Sequence, residues 1–263
     1  MTEPQYSFAV KNEYCSFMAY INDVPAMFNP DGYAFNLNVP INHLIQPGKN
    51  NFRVHITIQD QSEETKNYCE CISEILVKGT NDPMSSLKTL AQINIRSLVK
   101  NSILSLPPGS PVTGIFQVKD SFSELPWSEG VDMGSDKNRY VKLAMDELKS
   151  LHLFLKKKDT EPIFKIIRDR EQHYSASYYE EFNQSFEKTK ADFTGTLEDQ
   201  DFILQDLDFT EYLPVFYAGG KLIAFENKYG EQPVFFLNNK KNLRRQYAFY
   251  FSCFDEQRLK VVL

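Results

Sequence analysis

One tryptophan, four cysteines and four histidines are all that 263 residues contain of these types, and no long apolar run occurs. Each shortage excludes something. A bilayer-crossing helix needs about 20 consecutive, mostly apolar residues, so membrane insertion is not expected. The cysteines are Cys15, Cys69, Cys71 and Cys253. Cys69 and Cys71 are two apart, point the same way on a strand and are badly placed to bridge each other. A zinc site needs a second close pair at ligand spacing, which is missing. No metal and no cofactor is therefore expected, and the thiols read as small buried hydrophobes.

Catalytic signatures are missing too. His43, His55, His152 and His173 form no H-E-x-x-H arrangement and lie near no cysteine pair. There is no G-x-S-x-G elbow, phosphate-cradling glycine loop or dinucleotide fingerprint. The start, MTEPQYSF, has neither the basic segment nor the apolar core of a signal peptide. A cytoplasmic location follows as the expectation, or a periplasmic one if a leader has been removed.

Charge is modest and evenly spread. The net charge is −6; Met1 to Pro126 carries 9 basic and 12 acidic residues, and the remainder 20 and 23, so each portion is −3. That distribution favours solubility and offers no dedicated phosphate-binding surface. Nucleic acid is not an expected partner. Aromatics are plentiful instead, 21 Phe and 14 Tyr, as suits half-buried strands.

Up to about residue 119 apolar residues recur with period two. Cys15, Phe17, Ala19 and Ile21 share one strand face, Tyr33, Phe35, Leu37 and Val39 another, and Phe52, Val54, Ile56 and Ile58 a third. Asn29-Pro30-Asp31-Gly32 and Pro47-Gly48-Lys49-Asn50 supply turns. The strand Tyr68 to Val77 is expected to pair with Phe52–Ile58, Ile58 opposite Cys71 and Val54 opposite Ile75. Glu70 and Glu74 then face outward, because a one-residue slip would bury both. Ala91–Ile95 and Val112–Val118 complete an all-β sandwich, with Pro107-Pro108-Gly109 as a loop.

Residues 120–136 hold proline, two glycines and several serines around Trp127, and read as a linker. From Arg139 to Lys157 the period changes: Val141, Ala144, Met145, Leu148, Leu151 and Leu155 form one helical stripe. Thr160-Glu161-Pro162 starts a second helix, and a third is expected from Ser177, with Ser177 as cap and Glu180 reaching back. The acidic stretch Glu198–Asp208 lacks the glycine and terminal glutamate of a calcium loop and reads as a short amphipathic helix. Strands follow: Tyr212–Ala218 and Lys221–Glu226 around a two-residue Gly219-Gly220 turn, then Pro233–Leu237, Gln246–Cys253 and Arg258–Leu263. Short connections imply an antiparallel meander with helices on one face. The expected architecture is two-domain: a sandwich over 1–119, a linker over 120–136, and an α+β domain over 137–263 with a helical hairpin packed on an antiparallel sheet.

Residues Ala19 to Ile56 carry an apolar strand ending in Asn22-Asp23, an aromatic strand after a glycine turn, and Leu44-x-x-Pro47-Gly48-x-Asn50 before the strand Phe52–Ile58. This stretch resembles the galactose-binding-domain-like jelly roll, an accessory domain of β-galactosidase-type glycosidases. Asp23 stands where that family usually has glycine. The resemblance implies a jelly-roll fold and a possible sugar surface near Asn22, Asp23, Asn29 and Asp31; no ligand residues carry over from it. By element order the remainder is loosely similar to cystatin-like and nuclear-transport-factor-like α+β folds.

Three functions compete. The leading expectation is a non-enzymatic protein that recognises another protein, in one concrete form a bacterial immunity or antitoxin-like protein, with Trp127, Tyr174 and Tyr178 as its aromatic surface. A carbohydrate-binding role through the jelly roll is the second. An enzyme with a C-terminal pocket, His173 paired with an acid, is the third.

Overall fold

The structure is a computed structural model and describes residues 3–13, 15–58, 68–98, 111–120, 124–255 and 258–263. It is a sheet-rich α+β architecture in two compact units, Met1–Leu125 and Pro126–Leu263. No helix among the described residues is long and apolar enough to cross a membrane.

The first unit holds strands β1 (Pro4–Glu13), β2 (Cys15–Ile21), β3 (Val24–Asn29), β4 (Phe35–Pro40), β5 (Gly48–Ile58), β6 (Tyr68–Gly79), β7 (Lys88–Leu98) and β8 (Val112–Val118). They form two antiparallel four-stranded sheets, ordered β4-β1-β6-β7 and β3-β2-β5-β8. Alternation decides which side chains go inside: Cys15, Phe17, Ala19, Ile21, Phe52 and Val54 are buried. Aromatic rings join the two sheets, Phe8 to Phe52 at 6.2 Å and Phe17 to Phe35 at 5.9 Å between centroids. Phe52 faces Gly114 across the β5–β8 ladder, and its ring fills the space a β-carbon there would need.

The expected pairing of β5 with β6 is not what forms. Ile58 pairs with Cys15, whereas Cys71 lies between Asn12 of β1 and Ile95 of β7, in the other sheet. Glu70 is also not outward. It is 3% exposed, and Lys11 of the neighbouring strand reaches its carboxylate at 3.3 Å. Charge pairing, which strand periodicity does not register, lets that carboxylate be covered. Glu74 stays half-exposed. Cys15 and Cys71 are buried free thiols, as is Cys253 of the second unit; the side chain of Cys69 and the Pro107–Gly109 loop lie outside what is described.

The second unit opens with three helices: α1 (Lys137–Lys157), α2 (Thr160–Ser177) and α3 (Phe182–Glu198). Asp136 caps α1 by accepting from the Arg139 amide. Its stripe of Tyr140, Ala144, Leu148, Leu151 and Leu155 is buried, and Lys156 and Lys157 meet the exposed carbonyls at its end. Ile163 and Ile167 of α2, and Phe186, Phe193 and Leu197 of α3, enter the same core. Ser177 does not cap α3. It is the last residue of α2, its hydroxyl donating to the His173 carbonyl at 2.8 Å, and Glu181 caps α3.

Strands β9 (Ile203–Leu204), β10 (Leu213–Tyr217), β11 (Leu222–Glu226), β12 (Phe235–Asn238), β13 (Leu243–Gln246), β14 (Phe251–Cys253) and β15 (Leu259–Val261) follow. They make two antiparallel sheets, β10-β11-β14-β15 and β13-β12-β9, rather than one meander. The β12–β13 hairpin leaves the chain order and β11 pairs directly with β14. The acidic stretch forms no helix: Asp199 accepts from the Asp201 amide at 2.8 Å, and Ile203 and Leu204 pair with Leu237 and Phe236. Residues 218–221, not two glycines alone, connect β10 to β11, because Ala218 joins Gly219 and Gly220 at positive φ. Ile223, Phe225, Phe236, Phe251 and Val261 turn inward against the helices.

Candidate interaction site

Aromatic side chains of this unit reach solvent at Tyr174, Tyr229 and Phe254, and at the end of α2 two of them meet. Tyr174 is 40% exposed, and its ring lies 4.6 Å from the half-buried Tyr178 ring at an interplanar angle of 43°. Helical spacing brings them together, since residues four apart share a face. The helix is stopped firmly just beyond. Tyr179 takes a left-handed conformation (φ 58°), with Glu180 N–H donating to the Ser175 carbonyl at 2.9 Å and Tyr179 N–H to Ala176 at 3.3 Å. That bond pair is a Schellman terminator, in which glycine is the usual left-handed residue. A tyrosine there stores backbone strain.

Carboxylates surround the pair. Glu171, Glu180 and Glu181 come from the same helix end and the turn into α3. Burial, then the charges of Glu180 and Glu171, push the Tyr174 phenol above its ordinary value, opposed by a hydrogen bond with Tyr178. Two of these acids are committed. Glu171 binds Arg170 at 2.6 Å and accepts from the Thr189 hydroxyl at 2.8 Å. Glu181 accepts from the Asn183 and Gln184 amides, which holds its carboxyl below the usual range. Glu180 is exposed, and its carboxylate has no ion pair or hydrogen bond among the described residues.

The other anticipated surface residues fare differently. Trp127 is 2% exposed, which removes it from any recognition surface. Asn22 and Asp23 form the β2–β3 turn, both at positive φ. The Asn22 amide donates to the Leu44 carbonyl and the Asn50 side chain, and its carbonyl accepts from the Asn51 amide. Asp23 pairs with Arg53 at 2.5 Å, and that guanidinium lies over the Tyr20 ring. Asn29 is buried and donates to the Tyr33 carbonyl. Their polar atoms bind the fold itself. Asp31 is exposed, beside a Tyr33 that is 76% exposed.

Among the histidines, His152 is buried and donates from Nε2 to the Gln205 carbonyl at 2.8 Å. His173 is half-buried with the Ser177 hydroxyl 3.5 Å from its Nε2. Three basic residues of the β12–β13 hairpin are tied to acids: Lys240 to Asp201, Arg244 to Glu231 and Arg245 to Asp192. This leaves little of their charge for a phosphate.

Sequence reasoning overlooked one polar cluster. Glu226, at the end of the apolar strand β11, is 5% exposed. Tyr217 donates to it at 2.6 Å and Tyr250 at 3.3 Å. Burial raises its pKa above the ordinary glutamate value, while the two phenols and the Gln232 amide pull the other way. No spacing signal marks it, because its partners come from β10 and from the segment before β14. The cluster ties strands together and is nearly closed to solvent. A scan against protein-family models, a search of curated proteins and a search of solved structures each returned no match.

Proposed function

We propose that this chain is a non-enzymatic binding protein that recognises another protein, an immunity or antitoxin-like role being one concrete form. The observation that carries the reading is the solvent-facing Tyr174–Tyr178 pair on a firmly terminated helix. Tyrosines offer large contact area with few rotatable bonds, so little entropy is lost when a partner covers them, and binding hot spots are enriched in them. Affinity capture with the wild-type chain and with a Tyr174→Ala/Tyr178→Ala variant tests it. A stoichiometric protein held by the first and lost by the second is the expected result. No stoichiometric partner, or equal retention by both, would overturn it.

A second reading assigns the first unit a sugar surface on a galactose-binding-like jelly roll. Exposed Tyr33 beside exposed Asp31 supports it, an aromatic face and a carboxylate being the groups that hold a sugar ring. Asn22 and Asn29 lend it nothing, because their side chains are taken up by the fold. A glycan array screened with wild-type and Tyr33→Ala protein decides it: a signal abolished by the substitution supports the reading, and silence at millimolar sugar removes it.

A further inference from the structure

Protein surfaces that recognise a cation combine an aromatic face with a nearby carboxylate, because the ring quadrupole and the negative charge attract the same group. This chain uses that contact within its own second unit. Arg168 lies over Phe182 at 5.0 Å, and Arg244 over Phe235 at 3.9 Å while paired to Glu231 at 2.6 Å. At the end of α2 the same ingredients occur on the surface. The tilted rings of exposed Tyr174 and half-buried Tyr178 lie together there, and Glu180 brings a carboxylate that no described residue neutralises.

We propose that this site accepts a lysine or arginine side chain of a partner protein, laid on the Tyr174–Tyr178 pair with its charge against Glu180. The inference rests on the protein-binding reading and names the chemistry of the occupant. Three observations favour a cation over an apolar anchor. Glu180 and Glu171 both help raise the Tyr174 phenol above its ordinary value, so both carboxylates are within electrostatic reach of that side chain. Glu180 is left with unsatisfied charge, whereas Glu171 and Glu181 are committed. The chain as a whole is acidic at −6, which steers basic partners toward it. The left-handed Tyr179 fixes the backbone direction in which Glu180 leaves the helix.

The probe is a fluorescein-labelled peptide of alternating arginine and glycine, matched by one carrying citrulline, which keeps the shape of arginine and removes its charge. Titrations against wild type, Tyr174→Ala, Glu180→Gln and Glu198→Gln proteins are followed by anisotropy. Glu198 is exposed at the far end of α3, so it reports general charge attraction. Wild type should bind the arginine peptide about tenfold more tightly than the citrulline peptide. Tyr174→Ala and Glu180→Gln should each remove most of that difference, and Glu198→Gln should leave it. Equal losses from Glu180→Gln and Glu198→Gln, or no preference for arginine, would overturn the proposal. A partner captured through the tyrosines but indifferent to Glu180→Gln would leave the protein-binding reading standing and remove only the cationic occupant.

Discussion

The Tyr217 hydroxyl donates a 2.6 Å hydrogen bond to the buried carboxylate of Glu226, joining the two strands of the β10–β11 hairpin by their side chains. Burial dominates at this carboxyl and raises its pKa. The folded state therefore holds the Glu226 proton more tightly than the unfolded chain does. Its contribution to stability is fully present below the unfolded glutamate pKa and is lost as pH rises through the raised folded value. Glu226→Gln keeps an acceptor for Tyr217 and has no charge to bury. The variant's urea midpoint should match wild type in acid and exceed it increasingly toward neutral pH. A constant difference across the range would contradict this account of the cluster.

Removing the phenol instead leaves the carboxylate short of a donor. Tyr217→Phe should cost about 1–3 kcal/mol, the range for leaving a buried polar group short of a hydrogen-bond partner. Urea unfolding monitored by circular dichroism measures it, and a loss below about 0.5 kcal/mol would mean that the bond is not maintained.

In the first unit the Gly114–Phe52 contact predicts a defined failure. An alanine at 114 drives its β-carbon into Cε1 and Cζ at the edge of the Phe52 ring, and that ring is itself held between Phe8 and Phe116. Overpacking of this kind costs about 1–3 kcal/mol. Gly114→Ala should lower the unfolding midpoint accordingly, and Gly114→Ala/Phe52→Leu should recover part of the loss.

The two left-handed turns test the backbone argument. At Tyr179, glycine removes the positive-φ strain while alanine retains it, so Tyr179→Gly should be about 1 kcal/mol more stable than Tyr179→Ala. At the β2–β3 turn the strain is similar but the side chains differ. Asn22→Ala loses three hydrogen-bond partners, Leu44, Asn50 and Asn51, and should cost about 2 kcal/mol or more. Asp23→Gly gives up a half-exposed ion pair with Arg53 and relieves strain, so it should lie within about 1 kcal/mol of wild type. Thermal unfolding of the four variants ranks them.

Local periodicity made strands such as β2, β5 and β6, and the helix α1, legible, because burial of Phe17, Phe52 or Leu148 depends on the spacing of their own neighbours; β1, β3, β9 and β13 were not anticipated. Pairing was not legible in the same way. A half-buried strand such as β5 shows the same alternation whether it joins β6 or, as happens, β2 and β8. Helix ends were decided by single side chains: Glu181, not Ser177, meets the free amides of α3. Trp127 looked available because serines and glycines surround it, yet burial is set by what packs over a residue and not by its sequence neighbours. Glu226 was invisible for the complementary reason. Its donors, Tyr217 and Tyr250, are 9 and 24 residues away. At the α2 end, Tyr174 and Tyr178 could be anticipated from composition and spacing, but the single uncommitted acid beside them could not.

The recognition surface is tested most directly by contact. A photo-crosslinking benzoylphenylalanine in place of Tyr174, which is 40% exposed, should form one covalent adduct of defined mass in native lysate. The same group at Ala191, exposed in the last part of α3, should not form that adduct. Equal adducts from both positions, or none from position 174, would contradict a partner seated on the end of α2.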